Sequence, residues 1–336
     1  MIREALLYEK LKGAKVRCNT CPRHCVLGEG QKGFCFTRQN QGGRLFTLIY
    51  GEVASLSVNP IEKKPVFHFH PGSRWLSLGA LGCNFRCPGC QNWELSHSRG
   101  GKANYLSPQE LISLAKRHGC TGISWTFNEP TIWLEYTLDG AKLAKEQGLY
   151  INYVTNGYIT PEALDTIGPY LDVFRVDIKG FSPTSYGRTA HISDFAPILE
   201  AAKRAKKEWG MHVELVTNIT PGCNDNEEEL RRIARWIRDE LGAYTPWHIT
   251  RFFPHLELSH LDPTPIATLE RAAEIAREEG LSYVYLGNLP AHPGENTYCH
   301  HCGRLVIKRQ VFDILEYNLR KGKCRYCDTP IPGQFD

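Results

Sequence analysis

Long hydrophobic runs, blocks of like charge and low-complexity tracts are all missing from this sequence of 336 residues. Its apolar stretches are much shorter than the roughly 20 residues of a membrane-spanning helix, so we expect no membrane-embedded segment. The formal net charge is only +4 and basic residues form no sustained run, so nothing indicates a nucleic-acid partner. With 42% hydrophobic and 23% charged residues, a largely disordered chain is excluded.

The amino-terminal segment MIREALLYEKLKG lacks the continuous apolar core of a signal peptide, because charged side chains recur every few positions. We therefore expect a cytoplasmic protein. The length exceeds that of a usual single domain, which favours one large domain with smaller appendages.

Cysteine, in contrast, is abundant, with 13 residues in the chain. A reducing cytosol does not sustain a disulfide framework, so this number indicates metal or catalytic chemistry. Most of the cysteines form an amino-terminal, a central and a carboxy-terminal group: Cys18, Cys21, Cys25 and Cys35; Cys83, Cys87 and Cys90; Cys299, Cys302, Cys324 and Cys327. Of the two that stand alone, Cys120 is expected to be a core thiol, and Cys223, in a loop after a strand, is a candidate for substrate contact.

From residue 74 onward, apolar or alternating segments are followed by helical ones in regular succession. The predicted strands lie near residues 75–79, 122–127, 150–155, 173–178, 212–218, 247–252 and 282–287. Helix starts are indicated by Ser107-Pro108, by Thr160-Pro161, and by Asn224-Asp225-Asn226 before three glutamates. Strand followed by helix, repeated, predicts an α/β fold with a parallel sheet.

Several predicted strands carry polar side chains on one face. Arg175, Asp177 and Lys179 alternate with apolar residues, and His212 and Glu214 do the same in a later strand. A parallel sheet covered by helices on both faces is apolar throughout. The polar face therefore favours a partial (β/α)6-type TIM barrel with a hydrated lumen and a site at the carboxyl ends of the strands.

The residues before this barrel predict less regular structure. Residues 3–11 suggest a short amphipathic helix, after which little regular structure is expected before Arg44, because metal would organise the chain there. Leu45–Tyr50 and Val53–Val58, joined by Gly51-Glu52, predict a hairpin. The expected domains are an amino-terminal Cys-rich, metal-binding segment with this hairpin (1–72), the barrel (73–290) and a carboxy-terminal, zinc-ribbon-like segment with four cysteines (291–336).

The central cysteines have the spacing C-x3-C-x2-C in a loop directly after the first barrel strand. Three thiolates on a short loop can bind three irons of a 4Fe-4S cluster and leave the fourth iron open to another ligand. An open iron is a catalytic feature. The alternative is a structural zinc site that lacks one protein ligand.

This loop resembles that of the radical S-adenosylmethionine (radical SAM) superfamily, in which the triplet binds the cluster and the open iron chelates S-adenosylmethionine. The resemblance is closest to relatives of pyruvate formate-lyase activating enzymes, and among them to the AmmeMemoRadiSam system radical SAM enzymes. The matching segments cover nearly the whole chain: CPRHC, NPIEKKPVFHF, LGCNFRCPGCQNWELS, TFNEPT, YVTNGY, DIKGF, PWHITRFFP, YVYLGNLP and GENTYCHHC.

The resemblance implies roles for individual residues, with the cluster on Cys83, Cys87 and Cys90. Phe127-Asn128 stands where the superfamily has Gly-Gly before a glutamate that meets the methionine amino group. Gly89 stands where an aromatic residue usually contacts adenine, so a neighbour such as Phe85 is expected to make that contact. The residues expected to bind S-adenosylmethionine are Asn128, Glu129, Thr155, Asn156, Asp177, Lys179 and Phe85.

Apart from the resemblance, a zwitterionic sulfonium ligand needs both signs of charge nearby, which Asp177 and Lys179 offer. The alternative is a structural ion pair at a strand end. Three further residues are candidates for catalysis: Arg175, on the polar face, Cys223, and His255, near the end of the sixth strand.

Activating enzymes of the resembling branch tend to carry an acidic residue before Thr-Asn-Gly that helps to hold a monovalent cation, and here that position is Val154. We hypothesise that Arg175 supplies the positive charge instead and pairs with Asp177 or with the methionine carboxylate. The alternative is a structural pair between Arg175 and Glu214.

The terminal cysteine groups predict two further metal sites. The carboxy-terminal group forms two C-x2-C pairs separated by 21 residues, which suits zinc, with rubredoxin-like iron as the alternative. His300 and His301 lie inside the first pair and are not expected to be ligands. The amino-terminal spacing, C-x2-C-x3-C-x9-C, suits either zinc or an auxiliary iron–sulfur cluster.

Two weaker patterns are discounted. Gly28–Gly33 matches G-x-G-x-x-G, but it follows a cysteine group and opens no helix, so a dinucleotide site is not expected. His68 and His70 lie beside prolines in a loop and are interpreted as surface or substrate contacts.

These patterns predict an enzyme that reductively cleaves S-adenosylmethionine to a 5′-deoxyadenosyl radical, which abstracts a hydrogen atom from a protein, peptide or small molecule. Activation of a glycyl-radical partner protein and modification of another peptide or small molecule both stay open. An external electron donor is expected, and the resemblance implies Memo-type and AMMECR-type partner proteins. The alternative from another class is a zinc-ribbon adaptor for RNA or protein with a vestigial barrel; the intact central cysteines and the absence of a basic aromatic stripe argue against it.

Overall fold

The computed structural model describes residues 1–335. The strands are β1 (Arg3–Glu4), β2 (Tyr8–Lys10), β3 (Val16–Cys18), β4 (Val26–Leu27), β5 (Arg38–Gln41), β6 (Arg44–Thr47), β7 (Glu52–Val53), β8 (Ser55–Pro60), β9 (Arg74–Gly79), β10 (Asn104–Tyr105), β11 (Gly122–Trp125), β12 (Tyr150–Thr155), β13 (Val173–Asp177), β14 (His212–Ile219), β15 (Trp247–Arg251), β16 (Val284–Gly287), β17 (Thr297–Tyr298), β18 (Leu305–Gln310), β19 (Asp313–Tyr317), β20 (Leu319–Arg320) and β21 (Lys323–Cys324). The α-helices are α1 (Trp93–Ser96), α2 (Pro108–Arg117), α3 (Leu134–Glu146), α4 (Pro161–Ile167), α5 (Pro183–Ala190), α6 (Ala196–Lys207), α7 (Glu227–Trp236) and α8 (Ile266–Glu278). Short 3-10 turns lie at Ile61–Lys63, Pro130–Trp133, Gly168–Tyr170, Leu256–Leu258 and Pro293–Glu295, and a π-helical turn at Ile237–Leu241.

The chain forms two compact units, each built from several segments. The first unit consists of Met1–Asn59, Arg74–Phe174 and Ala196–Met211. The second unit consists of Pro60–Ser73, Arg175–Phe195 and His212–Asp336, of which the last residue lies outside the described part. Strand β13 begins in the first unit and ends in the second.

In the first unit the principal sheet has the strand order β8-β9-β11-β12. β11 runs parallel to both β9 and β12, and Ile123 is in register with Leu76 on one side and Ile151 on the other. Helix α3 packs against β11 and β12, and the ring of Trp125 meets that of Tyr136 edge-on at 5.6 Å. The apolar strand residues thus form the core beneath the carboxyl ends of these strands.

In the second unit β15 runs parallel to β14 and β16, with Trp247 in register with Leu215 and Val284. Helix α8 packs against β15 and β16, and α7 packs against α8. The predicted parallel α/β fold is confirmed, and each of the seven predicted strands is present within two residues of its expected bounds.

The three predicted helix starts are also confirmed. Ser107 accepts a hydrogen bond from the Glu110 N–H while the Glu110 carboxylate binds back to the Ser107 backbone, which is a complete capping box. Thr160 caps α4, and Asn226 is the capping residue of α7.

The prediction for the amino-terminal residues is wrong in two respects. Residues 3–11 form β1 and β2, not a helix, because these strands pair with β6 and β3. Regular structure also precedes Arg44, since β3 pairs with β4 and β5 with β6. Tertiary pairing outweighs local helix propensity in so short a segment.

The predicted hairpin of Leu45–Tyr50 and Val53–Val58 is likewise not formed. β6 lies between β1 and β5, and β7 pairs with β10. The turn at Gly51 is real, with φ of +73°, but it separates two strands that belong to different sheets.

The end of the second unit is a small antiparallel sheet, β17-β18-β19, followed by the β20-β21 pair. Its buried residues Val306 and Ile307 pack with Phe67, Tyr283 and Tyr285 in one hydrophobic cluster. No helix within residues 1–335 combines the length and apolar character that crossing a membrane requires.

Candidate functional site

The loop after β9 carries the central cysteines and is fixed by close backbone contacts. A Cβ atom on Gly79 would lie 2.8 Å from a carbonyl oxygen after β11, so glycine is required there. Gly82 has φ of +89°, and a Cβ atom on it would lie 2.5 Å from the Cys35 carbonyl oxygen. The side chain of Asn128 accepts from the Ala80 N–H at 3.1 Å and donates to the Gly82 carbonyl at 2.9 Å. Asn128 therefore holds the start of the loop.

Cys83, Cys87 and Cys90 follow in this loop. The sulfur of Cys83 is buried and accepts a hydrogen bond from the Phe85 N–H at 3.4 Å. Burial, and then the nearby charges of Glu129 and Cys87, raise the pKa of the Cys83 thiol. Metal binding removes this penalty because the thiolate is the ligand form. Three thiols on one loop fit a 4Fe-4S cluster with one iron open.

Arg86 braces the loop, a role that the sequence pattern did not indicate. Its guanidinium donates hydrogen bonds to the carbonyls of Cys83, Phe85 and Ser96 at 2.8–3.0 Å. One guanidinium thus binds both sides of the cysteine loop, and its five fixed donors explain why arginine suits the position.

Glu129 lies shortly after the carboxyl end of β11 and accepts hydrogen bonds from two segments of the chain. Its Oε1 accepts hydrogen bonds from the Thr131 N–H, the Thr131 hydroxyl and the Thr155 hydroxyl at 2.6–3.0 Å. Its Oε2 accepts one from the Asn156 N–H at 2.8 Å. Burial raises the pKa of Glu129, although these hydrogen bonds oppose the shift. Each carboxylate oxygen has about two acceptor positions, and Oε2 accepts only one hydrogen bond, so it retains room for one more donor.

Asn156 connects this carboxylate to the cysteine loop. Its side chain donates to the Asn84 side-chain oxygen at 2.8 Å and accepts from the Tyr158 N–H at 2.9 Å. Asn84 in turn donates to the Tyr158 carbonyl at 2.8 Å. The predicted residues Asn128, Glu129, Thr155 and Asn156 are therefore brought together around the Cys83 loop, and Asn84 completes the network.

In the second unit, Asp177 bridges two cations. It forms one ion pair with Arg175 and a second with Lys179, whose Nζ lies 2.8 Å from the carboxylate. Burial raises the pKa of Asp177, but the two cations outweigh burial and hold the pKa below its ordinary value. Arg175 thus pairs with Asp177, which is one of the two partners expected from the sequence.

Glu214 is the buried carboxylate of the neighbouring strand and has its own partners. It shares hydrogen bonds with His212 at 2.8 Å and His248 at 2.6 Å, and it accepts from the Phe67 and His68 N–H groups. Burial raises the pKa of Glu214, but the two histidines lower it well below the ordinary value. The alternative pair between this carboxylate and an arginine of β13 is not found within residues 1–335.

The other predicted residues have these positions. Phe85 is buried against Tyr158, with ring centroids 5.2 Å apart. His255 is half-buried in the segment after β15. Cys223 is half-buried, and burial raises its pKa while nearby Arg188 lowers it. Their roles stay predictions.

The carboxy-terminal cysteines form a compact four-thiol group in the second unit. The Sγ atoms of Cys299 and Cys327 are 3.7 Å apart, and those of Cys302 and Cys324 are 3.8 Å apart. All four sulfurs lie within 4.8 Å of one another. A tetrahedral ion with bonds of about 2.3 Å requires sulfur separations of about 3.8 Å. This geometry fits the predicted four-thiolate metal site.

Two matching turns produce this arrangement. The Gly303 N–H donates to the Cys299 carbonyl at 2.9 Å, and the Asp328 N–H donates to the Cys324 carbonyl at 2.9 Å. Gly303 and Asp328 both have positive φ, +70° and +57°. Each C-x2-C pair is thus folded back by a left-handed residue, as in zinc-binding turns.

The amino-terminal cysteines surround a cavity of about 20 Å³ in the first unit. Arg23 and Arg38 line the same cavity. The four thiols that line it are Cys18, Cys21, Cys25 and Cys35.

Three cysteine and histidine residues outside the metal-ligand sets have distinct environments. Cys120 is buried, as expected for a core thiol. The prediction that His68 contacts solvent or substrate is wrong, because it is fully buried and hydrogen-bonds the Pro332 carbonyl and the Tyr285 hydroxyl, both at 2.6 Å. His300 is hydrogen-bonded through Nδ1 to the Tyr283 hydroxyl at 2.8 Å, and it is not part of the carboxy-terminal four-thiol group.

Comparison with known proteins places this geometry in a family. Residues 79–237 match the family model of the radical SAM superfamily. An uncharacterized protein of Methanocaldococcus jannaschii is 44% identical over 334 residues, which are 98% of this chain and 99% of that protein. The pyruvate formate-lyase-activating enzyme of Clostridium pasteurianum is 27% identical over 168 residues, which are 47% of this chain and 67% of that enzyme.

Among solved structures, Streptococcus suis SuiB bound to S-adenosylmethionine matches with a TM-score of 0.52 at 14% identity, over 72% of this chain and 58% of that one. This likeness concerns the fold alone. The finer assignment to the AmmeMemoRadiSam group stays a prediction. The family model covers the cysteine loop and the Glu129 network, and the chain therefore belongs to the radical SAM superfamily.

Proposed function

We propose that this protein binds a 4Fe-4S cluster on Cys83, Cys87 and Cys90 and uses it to cleave S-adenosylmethionine reductively. The observation that carries the proposal is the braced loop that presents three thiols and lies inside the segment matching the superfamily. When bound and reduced, such a cluster delivers an electron to the sulfonium, and a carbon–sulfur bond breaks to give methionine and a 5′-deoxyadenosyl radical.

The chain's own residues bind and orient the substrate. Glu129 has one acceptor position left, on Oε2, which suits the methionine amino group. Asp177 and Lys179 offer the two charges that a zwitterionic sulfonium ligand needs. Thr155 and Asn156 are positioned by the same carboxylate, so a change at Glu129 would disturb all of these contacts together.

Arg175 is proposed to replace a monovalent cation beside the ligand. It already pairs with Asp177, and its Nε is a buried donor that has no acceptor among the described residues. We expect Arg175→Met to weaken S-adenosylmethionine binding by about 1.5–3 kcal/mol, because a charged hydrogen bond is lost. Cleavage by the wild type should not depend on sodium or potassium. Strong activation by either cation, or unchanged affinity in the variant, would show that the charge serves the scaffold.

The radical is proposed to take a hydrogen atom from a protein, a peptide or a small molecule. Several relatives are described as activating enzymes of pyruvate formate-lyase or of glycyl-radical enzymes. An external electron donor is part of the proposal, as are Memo-type and AMMECR-type partner proteins. The cytoplasm is the proposed location because free thiols persist in a reducing compartment. Zinc is the proposed ion of the carboxy-terminal group, whose sulfur separations fit it.

The test is anaerobic reconstitution with iron and sulfide, followed by assay of 5′-deoxyadenosine in the presence of S-adenosylmethionine and dithionite. The wild type should form 5′-deoxyadenosine, and a Cys83→Ala, Cys87→Ala, Cys90→Ala triple variant should form none. Cys120→Ala is the matched control, since it removes a buried thiol outside the three cysteine groups. Retained cleavage in the triple variant would refute the assignment.

A further inference from the structure

The amino-terminal and carboxy-terminal four-cysteine groups differ in geometry. At the carboxy terminus the sulfurs close to within 4.8 Å of one another, which leaves space for a single ion. Among the described residues, the amino-terminal thiols do not form a closed group of this kind, and they surround a cavity of about 20 Å³. A cavity of that volume admits a body at least the size of a water molecule. The amino-terminal site is thus wider than four thiolates around zinc require.

The lining of this cavity also contains hydrogen-bond donors without acceptors. Arg38 is 2% exposed, and its Nε has no acceptor among the described residues, although its two other nitrogens bind Glu135. Arg23 has a buried Nη2 that likewise has no acceptor there. Buried donors in folded proteins almost always have partners. A zinc ion brings no acceptor atoms of its own, whereas the inorganic sulfides of an iron–sulfur cluster accept hydrogen bonds.

The cavity adjoins the loop of the central cysteines within the first unit. The Cys35 carbonyl is so close to Gly82 that no Cβ atom fits between them. Arg23, which lines the cavity, donates through Nε to the Asn84 carbonyl, and Arg86 donates to the Phe34 carbonyl at 3.1 Å. Each contact joins the segment that carries the amino-terminal cysteines to the loop that carries the central ones.

We propose that Cys18, Cys21, Cys25 and Cys35 bind a second iron–sulfur cluster, not zinc, next to the loop that carries the first. Four thiolates are the ligand set of both [2Fe-2S] and [4Fe-4S] clusters. Arg23 and Arg38 donate to the sulfides of this cluster. The site is independent of the proposed function, because its ligands are separate from Cys83, Cys87 and Cys90.

The test measures iron, acid-labile sulfide and zinc in the full chain after anaerobic purification and reconstitution, together with Mössbauer spectra. In the Cys83→Ala, Cys87→Ala, Cys90→Ala variant, iron and sulfide should persist in about equal amounts, with one zinc per chain. Adding Cys21→Ser and Cys25→Ser should remove the iron and sulfide and leave the zinc. Adding Cys299→Ser and Cys302→Ser instead should remove the zinc and leave the iron.

Two zinc ions and no sulfide in the triple variant would overturn the proposal. If the triple variant does not fold, the wild type decides: more than four irons and four sulfides per chain support a second cluster, and four of each with two zinc ions refute it. A wild type with two clusters that forms no 5′-deoxyadenosine would refute the proposed function and leave this inference intact.

Discussion

Phe127 has a φ of +72°, in the left-handed region that costs a residue with a side chain about 1–2 kcal/mol. It stands between β11 and Glu129, where the resembling superfamily has glycine. The backbone therefore keeps the conformation that suits glycine even though the side chain has changed. Strain of this kind commonly occurs at functional sites, where surrounding contacts hold it in place.

This strain predicts an unusual order of stabilities. Phe127→Gly should be more stable than Phe127→Ala by about 1 kcal/mol, because both remove the ring but only alanine retains the left-handed penalty. Urea unfolding of the two variants measures the difference. At Ser113, an exposed position in the middle of α2, the order should reverse, with alanine more stable than glycine by about 1 kcal/mol. Equal stabilities at residue 127 would show that the backbone relaxes there.

Asp177 predicts a pH dependence. Its folded-state pKa is below the ordinary value of 3.8, since Arg175 and Lys179 outweigh burial. A lowered carboxyl pKa stabilises the fold above the unfolded value, and this contribution is lost as the pH falls through the folded-state pKa. At pH 6 the free energy of unfolding of the wild type should therefore exceed that of Asp177→Asn by about 1–3 kcal/mol. This difference in stability should shrink below pH 4. Urea unfolding of both proteins at each pH measures the difference in stability. Any loss of metal in acid affects both proteins and therefore cancels in the comparison. A difference that does not change with pH would contradict the assignment.

At the scale of elements, periodicity and caps were sufficient for the parallel strands and for the starts of α2, α4 and α7. They were insufficient for β1 and β2, whose partners are β6 and β3. Glu4 pairs with Arg44, and the Leu6 N–H donates to Glu135, so residues far along the chain decide the local structure. No local pattern contains that information.

Helix α2 offers a direct test of its capping box. Ser107→Ala should lower stability by about 1 kcal/mol, because the hydroxyl no longer accepts from the Glu110 N–H at 3.2 Å. Ser113→Ala, in the middle of the same helix, should change stability by less than about 0.5 kcal/mol. Thermal unfolding of both variants provides the comparison. Equal effects would show that the cap is not formed in solution.

At the scale of the whole molecule, the cysteine spacing was sufficient to predict candidate ligands, but not the network that surrounds the central cysteines. Asn84, Thr155 and Glu129 belong to three separate segments, and their hydrogen bonds exist only after the parallel strands have aligned. Glu129 and Thr155 were expected on the strength of a family pattern, and Asn84 had no signal beyond being polar within the cysteine loop. The donors to a buried carboxylate can be counted only in three dimensions.

Loss of the metal proposed for the carboxy-terminal cysteines should unfold the end of the second unit. Cys299 and Cys324 are part of the hydrophobic cluster that covers Tyr283 and Tyr285, and a segment this small needs its metal to stay folded. Cys299→Ser with Cys324→Ser should therefore create new protease cleavage sites after residue 290. Limited proteolysis with mass spectrometry measures this, and Cys120→Ala is the control. A resistant segment would show that the apolar contacts suffice.

The buried ion pair between Arg38 and Glu135 has a consequence for biosynthesis. The side chains of this pair are 2% and 1% exposed. A second contact to a later part of the chain is the hydrogen bond that the Thr160 hydroxyl donates to the Asn19 carbonyl at 2.7 Å. The cysteines of residues 18–35 therefore leave the ribosome well before the residues on which they dock. At about 5–20 residues per second, they wait roughly 6–25 s for Thr160 to be synthesised. During that interval the thiols are open to oxidants and to the wrong metal, so the growing chain depends on cellular thiol protection before its own fold can provide it.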